Sequence, residues 1–306
     1  MADRYAGSTC TLQAGMIFIA GQVFGNFVFA MSLRLARGKQ YHYLTVGTIN
    51  YAVAALLAVT WAVLNGIPDL DVRVIVLGAI NGLQYQISLA VLFTVVELVG
   101  IGVTFGIIRL SIALPTLASV FLWGEQPAAL QVVGLALAFV ALPLLGADAH
   151  QAARNGRGHS LRTWSVLLVV LVLSGVGFTA AKAFAVWSTP EYQPLYTASV
   201  FVTATLGAAF VWPLRKRFRL PEWRTASLRH NIGLGVLMGA ANLFQIAMLL
   251  RALEVLPGTI VFPLAATVGL ATTLIGGMVL FGERFGRLTA TGIVLGMFAI
   301  VFINAR

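Results

Sequence analysis

Arg109 stands inside a run of 24 residues, 99–122, that holds no other charged side chain. A guanidinium stays protonated and presents a planar fork of donors that matches carboxylates and phosphates. Its chemistry there would be to orient an anionic group or to form a gating contact. The structural alternative is a link to backbone carbonyls or to an acid on another helix. No acid lies three or four residues away, so an ion pair along one helix is excluded. Glu97, twelve residues back, would lie ~18 Å away along a helix axis. Lys182 is the second isolated cation, about five residues from the end of the run 164–187. It could meet the same class of group, or snorkel to the surface.

Uncharged polar residues fall at spacings of three and four. Gln22 and Asn26 sit beside Gly21 and Gly25; Asn81, Gln84, Tyr85 and Ser88 share a face; so do Asn242 and Gln245, and Thr179 with Lys182. Side chains at these spacings meet on one side of a helix. They could bind a polar solute, or each other, as interhelical contacts worth about 0.6 kcal/mol apiece. As a set they predict a polar cavity. Glu97 and Glu254 end their apolar runs and could carry a coupling proton, or else cap or bridge a helix end. Pro115 and Pro263 lie inside runs, where each could kink a helix and serve as a gate, or simply be tolerated. Glu125 and Glu283 each follow a glycine and are expected to fix a turn by accepting from exposed backbone N–H groups.

The elements that position these residues follow from composition. The 306 residues are 59% hydrophobic and 10% charged, against about a quarter charged in a soluble domain. A soluble fold of this size could not hide so much apolar surface, and disorder needs low hydrophobicity. Lipid is the remaining solvent. A membrane helix takes about 20 apolar residues, and ten such runs occur: 14–34, 44–64, 72–94, 99–122, 130–146, 164–187, 192–214, 230–250, 258–281 and 288–304. Short strands could not supply them. The expected fold is an all-α integral membrane protein with ten transmembrane helices. The gaps 147–163 and 215–229 are too short for a soluble domain.

The net charge of +10 does not point to nucleic acid, because the basic residues sit in short loops between apolar runs. Fourteen Lys/Arg fall in the connections after the first, fifth, seventh and ninth runs, and four on the other side: Arg4, Arg73, Arg251 and Arg306. The positive-inside rule then puts both termini outside. The basic stretch RKRFRL at 215–220 could grip anionic headgroups or act as a topology signal. Membrane lipids are the expected surroundings, and a monomer is compatible with the sequence. Cys10 is the single cysteine, so no internal disulfide can form. The first 13 residues are polar, and no cleavable leader is evident.

Enzyme motifs are absent: no Walker loop, no HExxH and no GxSxG. Gly175-x-Gly177-x-x-Ala180 mimics a dinucleotide fingerprint but lies mid-run with no strand before it. His42, His150, His159 and His230 show no metal-ligand spacing. The expectation is no catalysis, no cofactor and no metal.

The two halves resemble each other. Gly78 and Gly82 recur as Gly235 and Gly239, and Glu97 as Glu254, 157 residues on. Trp123-Gly124-Glu125 recurs as Phe281-Gly282-Glu283, and Gly134 as Gly292, at a shift of 158. Residues 1–146 and 164–306 are thus read as two five-helix repeats joined by 147–163. An odd number of spans per repeat inserts the second half from the opposite side, as in secondary transporters whose sites lie between the halves.

Residues 97–146 and 254–304 resemble the drug/metabolite transporter superfamily, in its EamA-like branch. The resemblance rests on an apolar span ending in Gly-Glu, a short turn, and a span with an early Gly. It reads VFLWGEQPAALQVVGLAL in one half and MVLFGERFGRLTATGIVL in the other. LSGVGFTAAKAF, 173–184, is similar to the opening span of such a unit, and FGNFVFAMSL, 24–33, keeps Phe27 but has Met31 where Lys182 stands. The resemblance implies a secondary transporter, an exporter by analogy, in the cytoplasmic membrane of a bacterium, acting on a small organic metabolite. Many relatives keep both termini in the cytoplasm, so the charge count departs from the family here. Arg109 and Lys182, taken as unpaired cations, favour an anionic or amino-acid-like solute. A proton-coupled exporter of cationic or neutral drugs, using Glu97 or Glu254, is the first alternative. A non-transporting membrane partner protein or an intramembrane enzyme is the second.

Overall fold

The computed structural model describes residues 9–38, 41–66, 70–99, 111–145, 161–214, 227–282 and 286–304, together with Ile108. Among these residues there are ten α-helices and no strand: α1 (Thr9–Gly38), α2 (Tyr43–Leu64), α3 (Val72–Val99), α4 (Ala113–Phe121), α5 (Ala129–Leu145), α6 (Leu161–Trp187), α7 (Gln193–Leu214), α8 (Leu228–Val255), α9 (Gly258–Phe281) and α10 (Arg287–Asn304). Each apolar run read from the sequence falls on one helix. The run 99–122 does so only through its described part, α4.

Among the described residues, five helices are long and apolar enough to cross a membrane: Leu12–Ala36, Leu44–Leu64, Leu168–Trp187, Leu228–Val255 and Gly258–Phe281. Their outward faces carry large apolar side chains. Leu56 is 67% exposed, Leu64 80% and Phe24 63%. In water this surface would drive aggregation, whereas in a bilayer it is solvated.

Helix ends follow local chemistry. At the start of α2 the His42 ring accepts from Thr45 N–H at 3.2 Å. Asn231 of α8 accepts from His42 N–H at 3.0 Å, tying the two helices together. Pro115 lies in the first turn of α4, where a helix needs no N–H from it. Residues 109–110, just before α4, lie outside the described residues, and Ile108 before them is helical. Pro263 does lie within its helix, α9, which continues through it. Gly124 and Gly282 follow α4 and α9 with φ of +66° each. Each donates its N–H back four residues, to Val120 and Met278, at 3.1 Å. Only glycine takes that left-handed conformation cheaply, which is why each apolar span stops there.

The helices pack across the halves. α1 packs on α8, α3 on α6, α2 on both α7 and α8, α3 on α7, and α5 on α10. Small residues set the approach. A Cβ on Gly78 would meet Ser199 Cβ at 2.6 Å and Tyr196 O at 2.8 Å, while one on Gly235 would meet Ile49 Cβ at 2.7 Å and Val46 O at 3.2 Å. Gly82 lies against Val200 O and Thr203 Cβ, and Gly239 against Asn50 O and Val53 Cβ. The same close crossing is therefore made twice, between α3 and α7 and between α8 and α2. The apolar core divides into a cluster around α9 (Val261, Leu264, Ala266), one around α7 (Val200, Phe201, Ala204) and one where α1, α2 and α8 meet (Leu33, Leu44, Met238).

Candidate functional site

Three polar groupings lie inside this bundle. The first is a relay of amides. Gly25 removes the side chain that would keep α1 off α8, since a Cβ there would meet Gln245 Cβ at 3.0 Å and Ala241 O at 3.1 Å. Asn26, the next residue, donates to Gln245 Oε1 at 3.3 Å. Gln245 donates to Asn242 Oδ1 at 2.9 Å, and Asn242 to Asn50 Oδ1 of α2 at 3.4 Å. Asn242 and Asn50 are buried. Gly239 brings the α2 backbone close enough for that last bond. Gln22, one turn before Asn26, is also buried, and its Oε1 has no hydrogen-bond partner among the described residues. A buried amide oxygen without a donor is costly, and it is what a ligand's N–H or O–H would satisfy.

The second grouping lies between α3, α6 and α7. Gly177 of α6 leaves room for the Gln84 carboxamide and for Asn81 Oδ1, which would lie 3.0 Å from a Cβ there. Asn81 donates to the Tyr196 hydroxyl at 2.8 Å, and both residues are buried. Gln84 donates to Ser88 Oγ at 2.7 Å on its own helix. Tyr85 accepts at its carbonyl from the Tyr51 hydroxyl at 3.2 Å, with the two rings edge to face at 6.3 Å. Tyr196 stacks on Phe184 of α6, ring centroids 4.3 Å apart. Thr179 turns its hydroxyl to the Gly175 carbonyl at 2.8 Å.

The third grouping is ionic. Lys182 is fully buried, and its Nζ lies 2.6 Å from Glu125 Oε1; the Glu125 side chain is 8% exposed. The same carboxylate accepts from Gly258 N–H at 3.0 Å and Thr259 N–H at 2.9 Å, the first amides of α9. Pro257 precedes them and supplies no side-chain cap. An acidic group at a helix N-terminus meets orphan donors and the positive end of the helix dipole. Ser119 Oγ lies against Gly258 and has no hydrogen-bond partner among the described residues.

Asn26, Asn242 and Gln245 come together, as do Asn81, Gln84 and Tyr85, and Gln22 stays beside the first set. Thr179 bonds within its own helix. Lys182 does not snorkel, and it is not an unpaired cation: Glu125 faces it inside the protein. Glu125 does accept backbone N–H groups as expected, but those of α9 rather than of its own turn. Glu254 has Arg251, one turn back, at 3.1 Å. Arg109, Glu283 and the side chain of Glu97 lie outside the described residues. Three contributors were missed. Asn50 is one amide in an otherwise apolar run, Tyr196 opens α7 as one aromatic among several, and Ser119 looks like any small helix residue. Asn50 alone carried a signal, the cost of an amide at mid-run.

No family model matches this chain. A Haemophilus influenzae protein described as uncharacterized is 28% identical over 212 residues, covering 67% of each chain. A solved structure described only as "Crystal structure of protein" aligns with a TM-score of 0.68 over 93% of this chain and 97% of its own, at 15% identity. That likeness concerns the fold alone.

Proposed function

We propose that the protein is a secondary transporter of a small polar organic solute. It works by alternating access between two inverted five-helix halves, 1–146 and 164–306, ten spans in all, in the manner of the drug/metabolite transporter superfamily. Helix packing supports this reading. Exchanging α1–α5 with α6–α10 turns the pair α1–α8 into α6–α3, and α2–α8 into α7–α3; all four pairs pack. The crossings at Gly78/Gly82 and at Gly235/Gly239 meet partners 150 residues apart, carbonyl for carbonyl. A two-fold relation between halves has that consequence, and an odd helix count per half makes it an inverted one.

The observation that carries the functional part is the amide relay Asn26–Gln245–Asn242–Asn50. It lies across the α1, α2 and α8 contact, between the halves, next to the unsatisfied Gln22 oxygen. Amides offer both donors and acceptors. They suit an amino-acid-like or neutral polar solute whose own groups can replace the contacts between halves. The case for an anion now rests on Arg109, since Lys182 faces Glu125. Proton-coupled drug export would give Glu97 or Glu254 the central part; Glu254 already holds Arg251. The bacterial cytoplasmic membrane and the export direction belong to the same family reading.

Cysteine accessibility tests it. In a background with Cys10 replaced by serine, single variants Asn26→Cys and Gln245→Cys are reconstituted in vesicles of both orientations and exposed to a membrane-impermeant maleimide. Both positions should label from both sides, and Leu56→Cys, on the lipid-facing surface, from neither. Silence at 26 and 245 from either side would leave a dry interior and a non-transporting membrane protein.

A further inference from the structure

The clasp formed by Glu125, Lys182 and the start of α9 has no part in the solute relay. It sits at one end of the bundle, where α4 ends at Phe121, α5 begins at Ala129, α6 ends at Trp187 and α9 begins at Gly258. Trp123 and Trp187 meet edge to face at 6.2 Å at the same end, and tryptophan pairs of this kind favour the membrane–water interface. Glu125 rides on the short non-helical connection 122–128 behind the left-handed Gly124. One carboxylate thus ties a connection of the first half to two helices of the second.

Resting on the transport reading above, we infer that this clasp is a gate: it holds one face of the protein shut, and opening that face requires Glu125 to leave both the Lys182 ammonium and the α9 N-terminus. Three features make it a latch rather than ordinary packing. The ammonium and the carboxylate are both withdrawn from water, so their attraction is little screened. The Gly258 and Thr259 N–H groups gain no cap from Pro257 and depend on Glu125. The connection that carries Glu125 is not helical but is pinned to α4 by Gly124 N–H to Val120 O and Glu125 N–H to Ser119 O, each 3.1 Å, so the carboxylate leaves by turning its own side chain.

The lysine of the clasp is not repeated at the matching position of the first half. The first-half position matching Lys182 is Met31, aligned by Phe27 with Phe178. Met31 is buried, and its sulfur lies 3.2 Å from where a Gly276 Cβ would be. It has no charge to offer a carboxylate.

The test reads face opening without any substrate. Ile260→Cys, in the first turn of α9 beneath the clasp, and Thr273→Cys, toward the opposite end of α9, are made singly in the Cys10→Ser background. Labelling rates with an impermeant maleimide are compared with and without Lys182→Met or Glu125→Gln. Methionine is the residue the first half already carries at this position, and glutamine keeps one acceptor oxygen, so both variants retain shape. Either substitution should raise labelling at 260 at least tenfold and lower it at 273. A change at 260 within twofold overturns the gate while leaving the transport reading standing. A rise at both positions together marks general loosening and overturns it too. If neither 260 nor 273 labels in any background, and 26 and 245 stay silent, it is the transport reading that fails.

Discussion

Replacing Gly239 by alanine puts a methyl group where α2 and α8 cross most closely, and its cost can be worked from the structure. The new Cβ would sit 2.6 Å from Asn50 O, 2.9 Å from Val53 Cβ and 3.1 Å from Val53 Cγ1. Ordinary contact begins near 3.4 Å, so the helices must part by roughly 0.8 Å, a gap that forfeits a good share of the dispersion energy along the seam. The nearest atom is a backbone oxygen, which no rotamer change can move aside. Overpacking of this kind costs about 1–3 kcal/mol. Parting the helices also breaks the Asn242–Asn50 bond, already 3.4 Å long, adding about 1 kcal/mol. For a chain of 306 residues, a total of roughly 2–4 kcal/mol should lower Tm by about 3–6 °C. Gly233 is the control: it lies on the same helix, and a Cβ there meets nothing within 4 Å. Alanine at 233 should stabilise by about 0.5–1 kcal/mol through helix propensity. The assay is the thermal loss of the monodisperse size-exclusion peak in one detergent for wild type, G239A and G233A. A Tm for G239A equal to or above wild type would refute the close crossing and the origin of the amide relay with it.

Gly82→Ala should behave like G239A, because Val200 O of α7 stands in the same relation to it as Asn50 O does to Gly239. Thermal size-exclusion with matching losses checks the repeated crossing, and a neutral G82A would deny it. Asn242→Leu removes the centre of the relay, leaving Asn50 Oδ1 and Gln245 Nε2 without the partner each now has. It should cost about 1–3 kcal/mol in the same assay, and on the transport proposal solute passage should fall with it. Lys182→Met alone leaves a buried carboxylate without its ammonium and should cost about 3 kcal/mol, with the α9 N–H groups limiting the loss. The double variant K182M/E125Q should regain part of that Tm. Were the double variant no better than the single one, charge would not be what the clasp balances.

The apolar runs were legible because a bilayer asks for one thing, an unbroken stretch of side chains without charge, and the eye can count it. Gly124 and Gly282 were legible as stops because a left-handed residue must be glycine. The faces of Gln22/Asn26, Asn81/Gln84/Tyr85 and Asn242/Gln245 were legible because helical spacing puts residues three and four apart on one side. Which face meets which was not legible. Asn50 joins the relay only because Gly239 lets α2 close on α8, and Tyr196 reaches Asn81 only because Gly78 and Gly82 do the same for α3 and α7. Lys182 looked like a free cation because its counter-charge lies 57 residues away in sequence. Periodicity along a chain reports what each helix shows to its surroundings. The partner of a buried charge or amide is decided by how close two backbones can come, and that depends on small residues from both helices acting together in three dimensions.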